Sequence, residues 1–189
     1  MNKKIILIVA LLIIGVLSRI IPHPPNVTAM IAIALLASHS FKNKWVAMLI
    51  PLTGMWISDL MINNYLYAGY YDKFMFFSSG SLWVYGGILF AVLIGKVLIK
   101  NIKLSTVFLS SLSASFFFFI ITNFGVWLSS MIYPKSLLGL VECYTLAVPF
   151  FGNALIGDLI YSVVLFTSYS LVFSNRFELN TAGNTKINQ

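Results

Sequence analysis

The sequence predicts an all-α membrane protein, a single bundle of about six transmembrane helices with both termini in the cytoplasm. Three observations carry that prediction. Of 189 residues, 59% are hydrophobic and only 9% charged, with a mean hydropathy of +0.92; a soluble domain carries about 25% charged residues. The apolar residues fall into runs separated by polar or proline-rich connections. The basic residues are also unevenly shared between alternate connections. So little charge cannot cover a water-facing surface. Each crossing takes roughly 20 mainly apolar residues, so the chain has room for roughly five to seven crossings and little else.

The first run spans about Ile5–Ile21 and stops at Pro22-His23-Pro24-Pro25, which cannot continue a helix. Met1–Ser18 has the basic start and apolar stretch of a signal peptide. Retention as the first helix is expected, because Arg19 follows at once and keeping the segment leaves an even number of helices. The second run is short, about Val27–Phe41, with Asn26 placed to act as its N-cap. The third is about Trp45–Ile62 and contains Pro51 and Gly54. After a tyrosine-rich connection come the fourth, about Ser81–Ile99, the fifth, about Leu104–Ile132, and the sixth, about Val148–Phe173. Residues 1–173 therefore read as one transmembrane domain. Residues 174–189 read as a polar cytoplasmic tail, expected to be mobile.

Charge sets the orientation. Lys3, Lys4, Lys42, Lys44, Lys96, Lys100, Lys103, Arg176 and Lys186 fall on one side, and Arg19, Lys73 and Lys135 on the other. Nine against three places both termini in the cytoplasm, as expected of a multi-pass protein with an even number of helices. The net charge of +7 is spread in short clusters between apolar runs, without the basic stripe and stacking aromatics that nucleic acid requires. One cysteine, Cys143, excludes an internal disulfide.

This topology gives every polar residue a depth. Arg19, Asn26, Asp59, Asn123, Trp127, Asn153 and Asp158 all fall in the outer half of the bilayer. Trp56 and Asp59 share a face at i, i+3, as do Asp158 and Tyr161. An ionised carboxylate in lipid costs about 2.5–3.5 kcal/mol even on the lenient insertion scale, so both acids should face the interior or a wet cavity. Arg19 is the counter-charge at that depth. The expectation is an outward-facing polar and aromatic pocket. Arg19, His23, Asn26, Trp56, Asp59, Asn123, Trp127, Asn153, Asp158 and Tyr161 are its substrate-binding residues, and the Pro-flanked His23 loop is its lid. The plainer alternative is that either aspartate caps backbone near a proline or pairs with Arg19 to hold helices together. Ser110, Ser111, Ser113 and Ser115 read as helix-packing residues, and Phe116–Phe119 as a lipid-facing and core run.

Ser18-Arg19 with Pro22-His23-Pro24-Pro25-Asn26, Ser58-Asp59-Leu60, Thr122-Asn123-Phe124-Gly125-Val126-Trp127 and Pro149-Phe150-Phe151 with Gly157-Asp158-Leu159 resemble one family. It is a family of small, uncharacterised bacterial six-helix membrane proteins grouped with transport proteins. In layout the chain also resembles, more loosely, the S components of energy-coupling-factor vitamin transporters. That likeness implies a binder of a small vitamin-like solute which docks on a separate energising module or works alone. S components carry an alanine-x-x-x-alanine docking strip on the first helix, where this chain has only Ala10 and Gly15; its small residues, Ala29, Ala32, Ala34 and Ala37, lie on the second. Some solitary relatives of that fold hold cobalamin through a cysteine, for which Cys143 and His23 are the residues available here. The expectation is no cofactor and no metal.

The leading function is thus a membrane transport or solute-binding subunit rather than an enzyme. No Walker loop, His-Glu-x-x-His motif or Gly-x-Ser-x-Gly elbow is present. An intramembrane enzyme using Asp59 and Asp158 as a carboxylate pair, and a non-transporting assembly subunit, are the alternatives. The first needs the two acids in contact, and the second needs the polar cluster packed without a cavity.

Overall fold

Prolines and run lengths set most helix boundaries in the computed structural model, which describes residues 3–173. The helices are α1 (Lys3–Ile20), α2 (Met30–Ser40), α3 (Lys44–Met61), α4 (Ser81–Leu98), α5 (Leu104–Ser129) and α6 (Leu137–Phe173), with no strand among the described residues. The tail expected at 174–189 lies outside the described residues.

Four helices are long and apolar enough to cross a membrane: α3 with its continuation to Leu66, α4, α5 and α6. Their outward faces expose Leu49, Leu93, Phe116, Ile160 and Val163, side chains at ease in lipid. α1 has 18 residues but carries Lys3, Lys4 and Arg19. α2 has 11 residues, about 16 Å at 1.5 Å per residue, or roughly half a hydrocarbon core.

So short a helix persists because protein encloses it. Every residue from Met30 to Ser38 is buried, with α3, α4 and α6 packed around it and α5 touching it. A helix apolar all round belongs in such a place, provided its end groups find partners inside the protein. At its C-terminus they do. Lys96 Nζ donates to the carbonyls of Ser38 and Phe41, both at 3.3 Å, and His39 Nδ1 lies 3.0 Å from the Ile99 carbonyl. At the N-terminus Ala29 occupies the cap position, and no side chain accepts from the first turn.

Two boundaries depart from the sequence expectation. α2 starts at Met30, and Asn26 is not its cap. Asn26 stands at φ 67°, in a turn closed by Val27 N–H to the Pro24 carbonyl at 3.1 Å. Asparagine tolerates that left-handed conformation better than most residues. The loop is tied back to α1 by Ser18 Oγ, which accepts from Ala29 N–H at 3.1 Å. The second departure is α6, which begins at Leu137 rather than near Val148 and runs 37 residues through Pro149. Pro149 is exposed on that helix, and long apolar helices of membrane proteins tolerate such a proline.

After α3 the chain makes a π-helical turn, Ile62–Leu66. Asn64 then clips the tyrosine-rich connection to α3: its Nδ2 donates to the carbonyls of Leu60 (3.0 Å) and Met75 (2.9 Å), and its Oδ1 accepts from Met75 N–H at 2.7 Å.

Candidate functional site

The end of α1, the proline loop, the start of α2, the end of α3, the start of α4 and the facing parts of α5 and α6 converge at one end of the bundle. Between them lies a cavity of about 490 Å³, within the range of about 300–1,000 Å³ typical of small-molecule sites. Its polar lining comes from Arg19, Thr28, Ser115, Asn123 and Asp158; Met30, Ile88, Phe118, Phe119, Phe150 and Phe151 supply much of the apolar lining. His23 and Asn26 also line it, and both are exposed, which puts the proline loop at the mouth.

One polar wall is an anchored cation. Arg19 Nη1 donates to Asp59 Oδ1 at 2.6 Å, Ser58 Oγ at 2.5 Å and the Met55 carbonyl at 3.1 Å. The ion pair is well shielded, with side chains 16% and 13% exposed. The other oxygen of Asp59, Oδ2, accepts from Tyr85 OH at 2.9 Å. The sequence Tyr85–Asp59–Arg19 therefore leads from α4 through α3 to the cavity wall, with Asp59 behind the arginine. Tyr85→Phe removes one of these donors. It should cost about 1–3 kcal/mol, the penalty for a shielded acceptor left without its partner, and lower the melting temperature in detergent while leaving the protein folded.

The opposite kind of wall is Asp158. It is 4% exposed, and its Oδ2 accepts from Ser115 Oγ at 2.6 Å. Ser115 Oγ also lies 2.8 Å from the Ser111 carbonyl, which competes with Asp158 for its single proton, and Ser162 Oγ lies 3.2 Å from Ser111 Oγ. Asp158 thus sits at the α5–α6 contact with hydroxyls beside it. Among the described residues no cation pairs with it; the salt bridge present is Arg19–Asp59.

The profile of DUF6580, a family of unknown function, matches residues 1–181. The chain belongs to that family. No curated protein and no solved structure matches it.

In this DUF6580 chain the cavity gathers Arg19, His23, Asn26, Asn123 and Asp158. Asn123 Nδ2 donates to the Phe119 carbonyl at 2.9 Å, a local bond that fixes its orientation. Asp59 reaches the cavity only through Arg19. Trp56, Trp127, Asn153 and Tyr161 do not line it. Trp127 Nε1 donates to the Pro134 carbonyl at 3.0 Å and Lys135 Nζ lies 5.8 Å from its ring centroid, so Trp127 clamps the α5–α6 connection. Tyr161 packs against the apolar core. Asn153 is half-buried on α6. Trp56 is also half-buried, and its Nε1 meets no acceptor among the described residues.

Sequence reasoning missed Tyr85, Thr28 and Ser115, and it did not divide the phenylalanine run. Phe116 and Phe117 are exposed, while Phe118 and Phe119 line the cavity. Successive helical residues point about 100° apart, so a run of four must face more than one environment. Ser115 was legible only as a member of a serine strip; what singles it out is Asp158 on another helix.

Cys143 is buried, with its thiol 3.5 Å from the Asn123 carbonyl, whereas His23 bonds its own loop through Pro24 O at 2.8 Å. Among the described residues no group of three or more His, Cys, Asp or Glu is placed to hold a metal ion.

Proposed function

We propose that this protein is a solute-binding transport subunit of the bacterial cytoplasmic membrane, with six membrane-embedded helices, both termini inside, and the cavity open to the outside. The observation that carries the reading is the cavity itself. A hollow bordered by Arg19 and Asp158 and walled by phenylalanines is hard to reconcile with polar groups kept only to hold helices together. Charged groups within a membrane are rare and mark solute or ion pathways. The biased distribution of basic residues supports the orientation.

The solute is a small, vitamin-sized molecule. Arg19, Asn123 and Asp158 give it polar contacts, the phenylalanines contact its body, and the His23 loop borders its way in. Ala29 and, on α2, Ala32, Ala34 and Ala37 are fully buried, and Gly15 of α1 faces Ile33 and Met30. Those small residues are therefore not available as a docking strip for an energising module.

An enzyme built on an aspartate pair gains no support. Asp59 bonds Arg19 and Tyr85 and Asp158 bonds Ser115, so the acids share no hydrogen bond. The test of solute binding is calorimetric titration of purified protein with water-soluble vitamins of both charge signs and neutral ones. Saturable binding of at least one, lost in Asp158→Ala, is the expected result. Silence across the panel, with wild-type growth and uptake in cells carrying Asp158→Ala, would remove the proposal.

A further inference from the structure

The two buried acids are in opposite situations, and the difference says what the cargo carries. Asp59 is neutralised from within the protein by Arg19 at 2.6 Å and receives a second donor from Tyr85. Asp158 is more deeply buried, at 4% exposure, yet it has one neutral donor, Ser115 on Oδ2, and no cation among the described residues. Its other oxygen, Oδ1, has no bonded donor among the described residues and is not among the fully enclosed polar atoms left unsatisfied, and Asp158 lines the cavity. That oxygen is therefore open to whatever fills the hollow. Leaving a charge uncompensated in a low-dielectric interior is strongly unfavourable, so Asp158 takes either a proton or a positive charge carried by the occupant.

The rest of the wall suits a cation. Phe118, Phe119, Phe150 and Phe151 line the same cavity, and Phe119 and Phe151 pack with ring centroids 4.7 Å apart. Aromatic faces attract ammonium and ring cations, more strongly when water is excluded. Resting on the solute-binding reading above, we propose that the cargo is an organic cation, a protonated amine or a positively charged nitrogen ring, whose charged nitrogen sits against Asp158 with its apolar body among these phenylalanines. Arg19, already paired, is left to contact a polar group elsewhere on the same molecule.

The test compares three probes with one body: 4-methylbenzylamine, 4-methylbenzyl alcohol and 4-methylbenzoate, titrated by calorimetry into detergent-solubilised protein beside the vitamin panel. The amine should bind at least about tenfold more tightly than the alcohol or the acid, and cationic vitamins should lead the panel. Asp158→Asn, which keeps the shape and can keep the Ser115 hydrogen bond, should erase that preference. Equal binding of amine and alcohol means that a proton alone satisfies Asp158, and it overturns the inference. So does tighter binding of the acid, a panel led by neutral or anionic vitamins, or an Asp158→Asn protein that keeps the preference. Each of those leaves the solute-binding reading standing; silence from panel and probes together removes both. The wild-type comparison decides the matter even if Asp158→Asn does not fold.

Discussion

Asp59→Ala should give little or no folded protein, whereas the double variant Asp59→Leu/Arg19→Met should fold. The reason is the environment of the pair. Its two side chains are shielded, at 16% and 13% exposure, and Arg19 Nη1 draws all three of its bonds from the end of α3. Removing the carboxylate leaves a guanidinium with only a hydroxyl and a carbonyl in a bundle that we place in lipid. Breaking one half of a buried pair costs about 3–5 kcal/mol, while replacing both halves by apolar side chains of similar size is often neutral. A typical stability of about 5–15 kcal/mol is largely consumed by the first change and not by the second. The measurements are yield of monodisperse protein and melting temperature in detergent. Equal losses in the single and double variants would mean that the pair's value lies in its packing rather than its charge. The double variant also removes Arg19 from the cavity wall, so vitamin titration of that folded protein reports on the arginine's contact with solute separately from its part in folding.

That Arg19 would act as a counter-charge was legible in the sequence, because it and both aspartates were assigned the same depth; which aspartate it takes was not. Run lengths and prolines gave helices close to the observed α1, α3, α4 and α5. What the sequence did not contain was which side chain stands in front. Asp59 and Asp158 were assigned the same depth, and only packing shows that Arg19 pairs with the first while the second borders the cavity. Depth likewise assigned Trp56, Trp127 and Tyr161 to the solute; in the structure Trp127 bonds the α5–α6 connection, and phenylalanines line the cavity. The start of α6 at Leu137 escaped because Glu142 and Pro149 interrupt the apolar run; both are exposed on the finished helix, so neither has to be packed against a neighbour.

Replacing Gly95 of α4 should be among the damaging small changes outside the charged groups. A methyl group built on Gly95 would overlap Ser38 Oγ and stand 3.1 Å from both Leu35 Cα and Leu35 Cδ2. Leu35 and Ser38 are fully buried, and one of those atoms is backbone, which cannot rotate away. α2 cannot retreat either, because α3, α5 and α6 also contact it. Overpacking of this kind costs about 1–3 kcal/mol for one added carbon, so Gly95→Ala should lower the melting temperature distinctly and Gly95→Leu should prevent folding. The site should feel the same displacement. Met30, at the start of α2, lines the cavity, so any Gly95→Ala protein that folds should bind solute more weakly although the substitution lies at the other end of the short helix. Gly86→Ala is the control on the same helix. Nothing lies within 4 Å of the added carbon there, and alanine is the better helix former by about 1 kcal/mol, so stability should stay level or rise. If both alanine variants behave alike, the tight seam between α2 and α4 is not what holds the buried helix in place.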